Sequence, residues 1–206
     1  MAITTYAELQ TAIADFLNRD DLTSVVTTFI SLAEAQFQRD IRHWEMEKRQ
    51  LASPTEQYLT KPSDWVETIR LHVTGSGTSP VNLISRDEMA DRRAKGEDVA
   101  GVPCYYTHSG NTFELYPTPS EATEMELLYF SKIPALSDSN TSNWLLEASP
   151  DIYLYGALIH TAGYLHEDQR IQAWASLYSA AVQRLNQRSD QAKYSGSGLT
   201  MKIRSY

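Results

Sequence analysis

Five histidines, one cysteine and a run of glutamates are the residues with which this 206-residue chain could do chemistry, and their spacing argues against most of it. His43, His72, His108, His160 and His166 show neither the i, i+4 pair around a glutamate that holds zinc on a protease helix nor a cysteine partner for a structural zinc site. Cys104 stands between Pro103 and Tyr105-Tyr106 in a predicted strand, where a lone cysteine is expected to be a small buried hydrophobe rather than a nucleophile. His160 and Tyr164 fall one helical turn apart and could form a polar pair, although a satisfied core or interface histidine is the expectation and neither is assigned a catalytic role. Glu121, Glu124 and Glu126 cluster near a turn without calcium-loop spacing, so solvated carboxylates are expected over a cation site. Gly75-x-Gly77 and Gly196-x-Gly198 lack the third glycine of a dinucleotide loop, and no Gly-Lys-Ser/Thr offers a phosphate cradle. The residues thus point to no catalytic site, metal or cofactor. One alternative stays open, a small enzyme or carbohydrate-binding module with an aromatic cleft built around Trp65, Tyr105, Tyr106 and Tyr116.

The elements that must position these residues change period twice along the chain. Thr5-Tyr6-Ala7-Glu8 has the spacing of a capping box, and Leu9, Ile13, Phe16 and Leu17 then share one face, which predicts a helix over Tyr6 to Asn18. A turn at Asp20 to Thr23 leads to a second predicted helix reaching about His43, with Phe29, Ile30, Ala33, Phe37, Ile41 and Trp44 as its apolar stripe. From Trp44 to about Leu136 the period shortens. Ile69, Leu71 and Val73 alternate with polar residues as in a strand, and Cys104 to His108 with Thr112 to Tyr116 flank Ser109-Gly110-Asn111 as a hairpin. Met125 to Phe130 reads as the neighbour of that hairpin's second strand. A short helix opened by Ser85-Arg86-Asp87-Glu88 and closed by Gly96 interrupts the β pattern. Ser149-Pro150-Asp151 starts a helix to about Leu165, and Ile171, Trp174, Ala175, Tyr178, Val182 and Leu185 stripe another to about Ala192. Two helices before a β insert and two after it predict an α+β fold, an antiparallel helical bundle formed by both ends of the chain with an inserted mainly-β region and an extended C-terminal tail. The expected domains are residues 1–43 and 140–193 for the bundle, 44–139 for the β-rich insertion and 194–206 for the arm.

That arm has a pattern of its own. After the Ser195 to Gly198 spacer, Leu199-Thr200-Met201-Lys202-Ile203-Arg204 alternates apolar and polar residues at the strand period, on a tether that reaches roughly 40 Å when extended. Addition of this strand to a partner's sheet is expected, with a strand folded back on its own domain or a frayed terminus as the other readings. The formal net charge is −8, and setting aside Lys202 and Arg204 leaves −10 on residues 1–198. An acidic body of that kind does not grip nucleic acid, although DNA can slide past it. With 42% hydrophobic residues the chain can bury a core, no apolar run reaches the ~20 residues of a membrane span, and Met1 to Thr5 carries no signal-peptide pattern, so cytoplasmic synthesis is expected. Tyrosines are plentiful on the later helices, and Tyr153, Tyr155, Tyr164 and Tyr178 are candidate subunit-interface residues because tyrosine tolerates a half-dry contact.

Taken in order, Ile3-Thr4-Thr5-Tyr6-Ala7-Glu8-Leu9, Phe29-Ile30-Ser31-Leu32-Ala33-Glu34-Ala35, Arg39-Asp40-Ile41-Arg42, Leu115-Tyr116-Pro117-Thr118-Pro119, Ser142-Asn143-Trp144-Leu145-Leu146 and Pro150 to Leu158 resemble the head-to-tail adaptor (connector, or neck) proteins of tailed bacteriophages. The closing Lys193 to Leu199 with its basic strand is similar to that family's tail, whereas Thr27-Thr28 stands where similar proteins carry a proline, which bears only on where the second helix begins. The resemblance implies a structural virion protein without enzyme activity. It implies a homo-oligomeric ring beneath the portal, commonly a dodecamer of about twelve copies. Its C-terminal arm, here Leu199, Thr200, Met201, Lys202, Ile203 and Arg204, docks on the portal protein, while the opposite face receives the tail or nozzle protein and DNA passes without sequence-specific binding. A tail-completion or nozzle component of the same particle is the alternative within that class.

Overall fold

The computed structural model describes residues 3–18, 24–75, 77–95, 100–163 and 170–194. The chain divides into two compact units, Met1–Glu45 with Ile133–Tyr206, and Met46–Lys132.

In the first unit, helix α1 (Tyr6–Leu17) begins with the capping box that its sequence spells. The Glu8 N–H donates to Thr5 Oγ1 at 3.3 Å, and Glu8 Oε2 accepts the N–H groups of Thr5 and Thr4 at 3.0 and 2.8 Å. Three backbone donors at a helix start are thereby satisfied. Helix α2 (Val26–Asp40) buries Phe29, Ile30, Ala33 and Phe37 but stops three residues short of the expected end. Ile41 turns extended (φ −102°, ψ 131°), and side chains of another helix take over the released backbone donors. Arg42 N–H donates to Asn186 Oδ1 at 3.1 Å and Trp44 N–H to Ser189 Oγ at 3.0 Å, while the Arg42 guanidinium caps the carbonyls of Gln38 and Ile41. Trp44 therefore leaves the apolar stripe and stands exposed.

After the second unit the chain returns through Ile133, whose backbone exchanges two hydrogen bonds with the Gln38 side chain, Gln38 Nε2 to Ile133 O and Ile133 N–H to Gln38 Oε1, both 3.1 Å. A short helix absent from the sequence reading, α4 (Trp144–Ala148), is capped by Asn143. Helix α5 (Pro150–Ile159) starts on its proline and ends before a 3₁₀ turn at His160–Gly163, and α6 (Arg170–Tyr194) runs for 25 residues. Nearly every side of α5 is apolar: Ile152, Tyr153, Leu154, Ala157 and Leu158 are buried, so α1, α2 and α6 all pack on it.

The second unit holds β1 (Glu47–Ala52), β2 (Tyr58–Thr60), β3 (Trp65–Val73), β4 (Ser79–Leu83), α3 (Arg86–Ala94), β5 (Tyr105–Ser109), β6 (Thr112–Tyr116) and β7 (Met125–Ser131). The seven strands form one curled half-barrel sheet in the order β1-β7-β3-β4-β5-β6-β2. Every pair is antiparallel except β4 with β5, which α3 connects as a crossover. One face carries Leu71, Val81, Phe113, Leu115, Leu127 and Tyr129 into a core. The β5–β6 hairpin turns at Gly110-Asn111 as the sequence predicts, with Gly110 at φ +55°. Ile69 is exposed rather than in step with Leu71, because the register against β7 shifts between Thr68 and Arg70.

Two expectations are corrected. The antiparallel helical bundle formed by both ends of the chain, with a mainly-β insertion, does not describe this fold, whose dominant element is the seven-stranded curled sheet, accompanied among the described residues by six helices. The helices are unequal, from 5 residues in α4 to 25 in α6, and α1, α2, α4 and α6 each pack on α5. The strand Met125–Ser131 is also not the neighbour of the hairpin's second strand. It lies between β1 and β3, with Leu127 opposite both Gln50 and Leu71.

Candidate functional site

One recess lies in the helical unit, where the chain leaves α2 and runs past α4 and α6. His43 is buried, its ring stacked on Trp144 (centroids 5.1 Å apart, 15° between planes) and 5.1 Å from Trp44. The Glu45 N–H donates to His43 Nδ1 at 3.3 Å, which makes Nδ1 the acceptor. Trp44 is 46% exposed. These rings, with Glu45, Ala148, Ser149, Leu185 and Arg188, line a groove of about 160 Å³. Across Ser149, Leu185 and Arg188 it continues into a second recess of about 140 Å³ bounded by Asp151, Ala181 and Arg184. Arg184 and Arg188 sit one turn apart on the exposed side of α6, and among the described residues neither guanidinium is held by an ion pair or hydrogen bond. The groove is thus a Trp-walled slot of mixed polarity, with the carboxylates Glu45 and Asp151 as well as Arg184 and Arg188 along its rim.

Of the candidate interface tyrosines, Tyr153 is wholly buried within its own chain and Tyr178 nearly so, Tyr155 is half-buried, and Tyr164 lies outside the described residues. Tyr153 Oη accepts from Asn143 Nδ2 at 2.7 Å and donates to Glu34 Oε1 at 3.2 Å. Glu34 Oε1 also accepts the Leu136 N–H at 2.7 Å, and Asn143 reaches the Pro134 carbonyl and the Leu146 N–H. Burial raises the Glu34 carboxyl pKa, against the lowering effect of those two donors. Burial likewise raises the Tyr153 phenol, and Tyr178, whose hydroxyl donates to Asp40 Oδ2 at 2.8 Å, is raised by burial and then by that carboxylate. These tyrosines act as struts inside the unit. His160 pairs with Gln36 (Nε2 to Oε1, 3.1 Å). The arm residues Leu199 to Arg204 lie outside the described residues.

In the β unit, Lys61 is 7% exposed and donates to the Gly110 carbonyl at 2.8 Å, its ammonium 4.4 Å from the Trp65 ring centroid. Burial, then Arg86, lowers its pKa, and burial, Lys61 and Arg86 lower that of His108. The pairing fastens the β5–β6 turn. Tyr129 donates to Asp64 at 2.9 Å and its phenol is pushed up to about 12 by burial and that carboxylate. Tyr106 and Tyr116 are buried, so with Trp65 and Tyr105 they make no open aromatic cleft. Cys104 corrects its expectation: it precedes β5 and is exposed, its Sγ 3.4 Å from the Val102 carbonyl. Glu121 and Glu124 are exposed beside Val102, which is 52% exposed, and among the described residues neither carboxylate has a charged partner; Glu126 instead faces Arg49 at 3.8 Å and His72 at 4.0 Å. No group of three or more His, Cys, Asp or Glu among the described residues is placed to hold a metal ion, and no helix among them is long and apolar enough to cross a membrane. The groove has no local signal in the sequence, because Trp44 falls on the helical stripe of α2, whereas Glu121 and Glu124 are exposed as expected of solvated carboxylates.

The chain belongs to the SU10 adaptor protein family, which matches it over residues 4–201. This is a family of phage head-to-tail adaptors, so the chain has the structural role of a phage adaptor and its place is the virion. No individually curated protein matches it.

Proposed function

We propose that this protein forms a ring beneath the portal of a tailed phage, joins the portal through its C-terminal arm, and connects the DNA-filled head to the tail around an open channel. The reading rests on the family match, which spans nearly the whole chain and extends into the arm at residue 201. The arm's alternation supports strand addition, in which main-chain hydrogen bonds supply affinity and Leu199, Met201 and Ile203 supply apolar contacts on one side. Lys202 and Arg204 then face acidic groups on the portal, and many copies around one ring turn modest single affinities into avidity. The net charge of −8 suits a channel through which DNA slides without being held. Deleting residues 195–206 is expected to leave a folded protein that no longer co-sediments with purified portal. Unchanged portal binding by the truncated chain would refute the docking role.

A further inference from the structure

Strand β1 (Glu47–Ala52) is an outer strand of the seven-stranded sheet, laddered to β7, so every second residue turns its N–H and carbonyl away from that ladder. Among the described residues no main-chain hydrogen bond reaches Lys48 to Ala52 from the outer side. Folded chains usually guard such an edge with a proline, a bulge or a charge that points across it. Proline and bulge are both missing from β1, whose register runs without a shift from Glu47 opposite Phe130 to Ala52 opposite Met125. Its two cations reach back over the sheet, Lys48 Nζ to Asp64 Oδ2 at 2.6 Å and Arg49 Nε toward Glu126 Oε1 at 3.8 Å, and Leu51 stands 72% exposed. At the sheet's other edge β2 has only 3 residues, too few to hold a long ribbon.

We infer that the C-terminal arm, Leu199 to Arg204, adds to this open edge of β1 while no portal is present. Length agrees: six residues alternating at the strand period meet a six-residue edge, about 20 Å of ladder. Reach agrees too. Ser189 on α6 is bonded to the Trp44 N–H, three positions before β1 begins, so covalent geometry keeps Tyr194 within roughly 25 Å of Glu47, and the chain beyond Tyr194 extends to roughly 40 Å. Laid with Leu199, Met201 and Ile203 on the face that carries Leu51, the arm covers that side chain and sets Lys202 and Arg204 on the opposite face from Arg49, where Asp64 already holds Lys48. The main chain supplies the affinity, so no match of charges is required. A bare edge and a bare ribbon are each a template for aggregation, and pairing them removes both. The inference adds regulation to the proposed docking and in that meaning rests on it: the strand that the portal receives is one that β1 gives up.

Hydrogen exchange of the full-length protein, read by mass spectrometry over residues 47–52, tests the pairing. The wild type is compared with a chain carrying Met201→Pro and Lys202→Pro together, because one of two adjacent residues must turn its N–H toward β1 whichever register forms. Exchange over β1 is expected to be about tenfold faster or more in the double variant, with β3 and β7 exchanging as before. A free peptide of residues 195–206, added in excess, is expected to restore slow exchange to that variant, and the restoration should persist in about 0.5 M salt. Equal exchange in the two chains, a peptide that restores nothing, or a restoration abolished by salt, as for a basic peptide adsorbed on an acidic body, would each overturn the inference. None of these readouts involves the portal. Absent protection of β1 sinks this pairing and leaves the docking role standing, whereas normal portal binding by the truncated chain sinks the docking role and leaves the pairing standing.

Discussion

Replacing Gly156 with alanine should destabilise this protein, against the usual direction for glycine in a helix. In an ordinary helix interior, alanine for glycine is favourable by roughly 0.5 to 1 kcal/mol. At Gly156 an added Cβ would meet Phe37 Cε1 at 2.7 Å and Cζ at 2.8 Å, about 0.7 Å inside ordinary contact, with Ala33 Cβ behind at 3.5 Å. The Phe37 ring has nowhere to swing. It is fully buried, meets Tyr153 edge-on at 4.9 Å and lies stacked 6.0 Å from Tyr178, and both tyrosines are held by hydrogen bonds to carboxylates. Overpacking of this kind costs about 1 to 3 kcal/mol, so after the propensity gain a net loss of about 0 to 2.5 kcal/mol remains, centred on about 1 kcal/mol. For a chain of this length that central value is a fall in melting temperature of roughly 2 to 4 °C. Differential scanning calorimetry of Gly156→Ala measures it, and the same substitution in a Phe37→Leu background isolates the cause. With the ring gone, alanine should become neutral or stabilising. A higher melting point for Gly156→Ala alone, or an equal penalty with and without the Phe37 ring, would refute the argument that α5 approaches α2 too closely for a side chain at this position.

The buried carboxylate on α2 should make stability depend on pH in a defined direction. Burial raises the Glu34 pKa in the folded chain, so above the unfolded value near 4.5 the folded state holds its proton longer, and stability falls as pH rises until the folded group ionises too. Glu34→Gln keeps an acceptor for Leu136 and Tyr153 without the charge, so its melting point relative to wild type should climb between pH 4.5 and 8; a difference that stays constant across that range would discount the burial effect. Asn143→Ala removes the cap on the Leu146 N–H and the donors to Tyr153 and the Pro134 carbonyl, and denaturant unfolding should show a loss of about 2 to 3 kcal/mol. A loss below about 0.5 kcal/mol would mean that water replaces those bonds without penalty.

What the sequence disclosed was local chemistry. Thr5 with Glu8 and Ser85 with Glu88 announce their helices because the caps lie within four residues of each other, and Gly110-Asn111 announces its hairpin in the same way. The failures are of long range or of weak pattern. Strand β1, Glu-Lys-Arg-Gln-Leu-Ala, is exposed along most of its length, so no apolar alternation marks it, and only its backbone ladder to β7 makes it a strand. Helix α4 is too short to display a period. The pairing of β7 with β1 and β3 joins residues more than fifty positions apart, which no local pattern encodes. The end of α2 went unread for a related reason: Asn186 and Ser189, remote in sequence, accept the hydrogen bonds that let the backbone unwind at Ile41. Tyr153 and Tyr178 illustrate the limit of composition, since an aromatic with a polar tip suits an interface and a buried strut equally well.

The amide of Gln38 grips Ile133 as one strand grips the next, through a donor and an acceptor aimed at main chain. Such a clasp reads no side chain, so tolerance to substitution should be lopsided across it. Position 133 can take any aliphatic residue that fills its buried seat but not proline, which lacks the N–H. Position 38 is strict, for glutamate would forfeit the donor and leucine both halves of the grip.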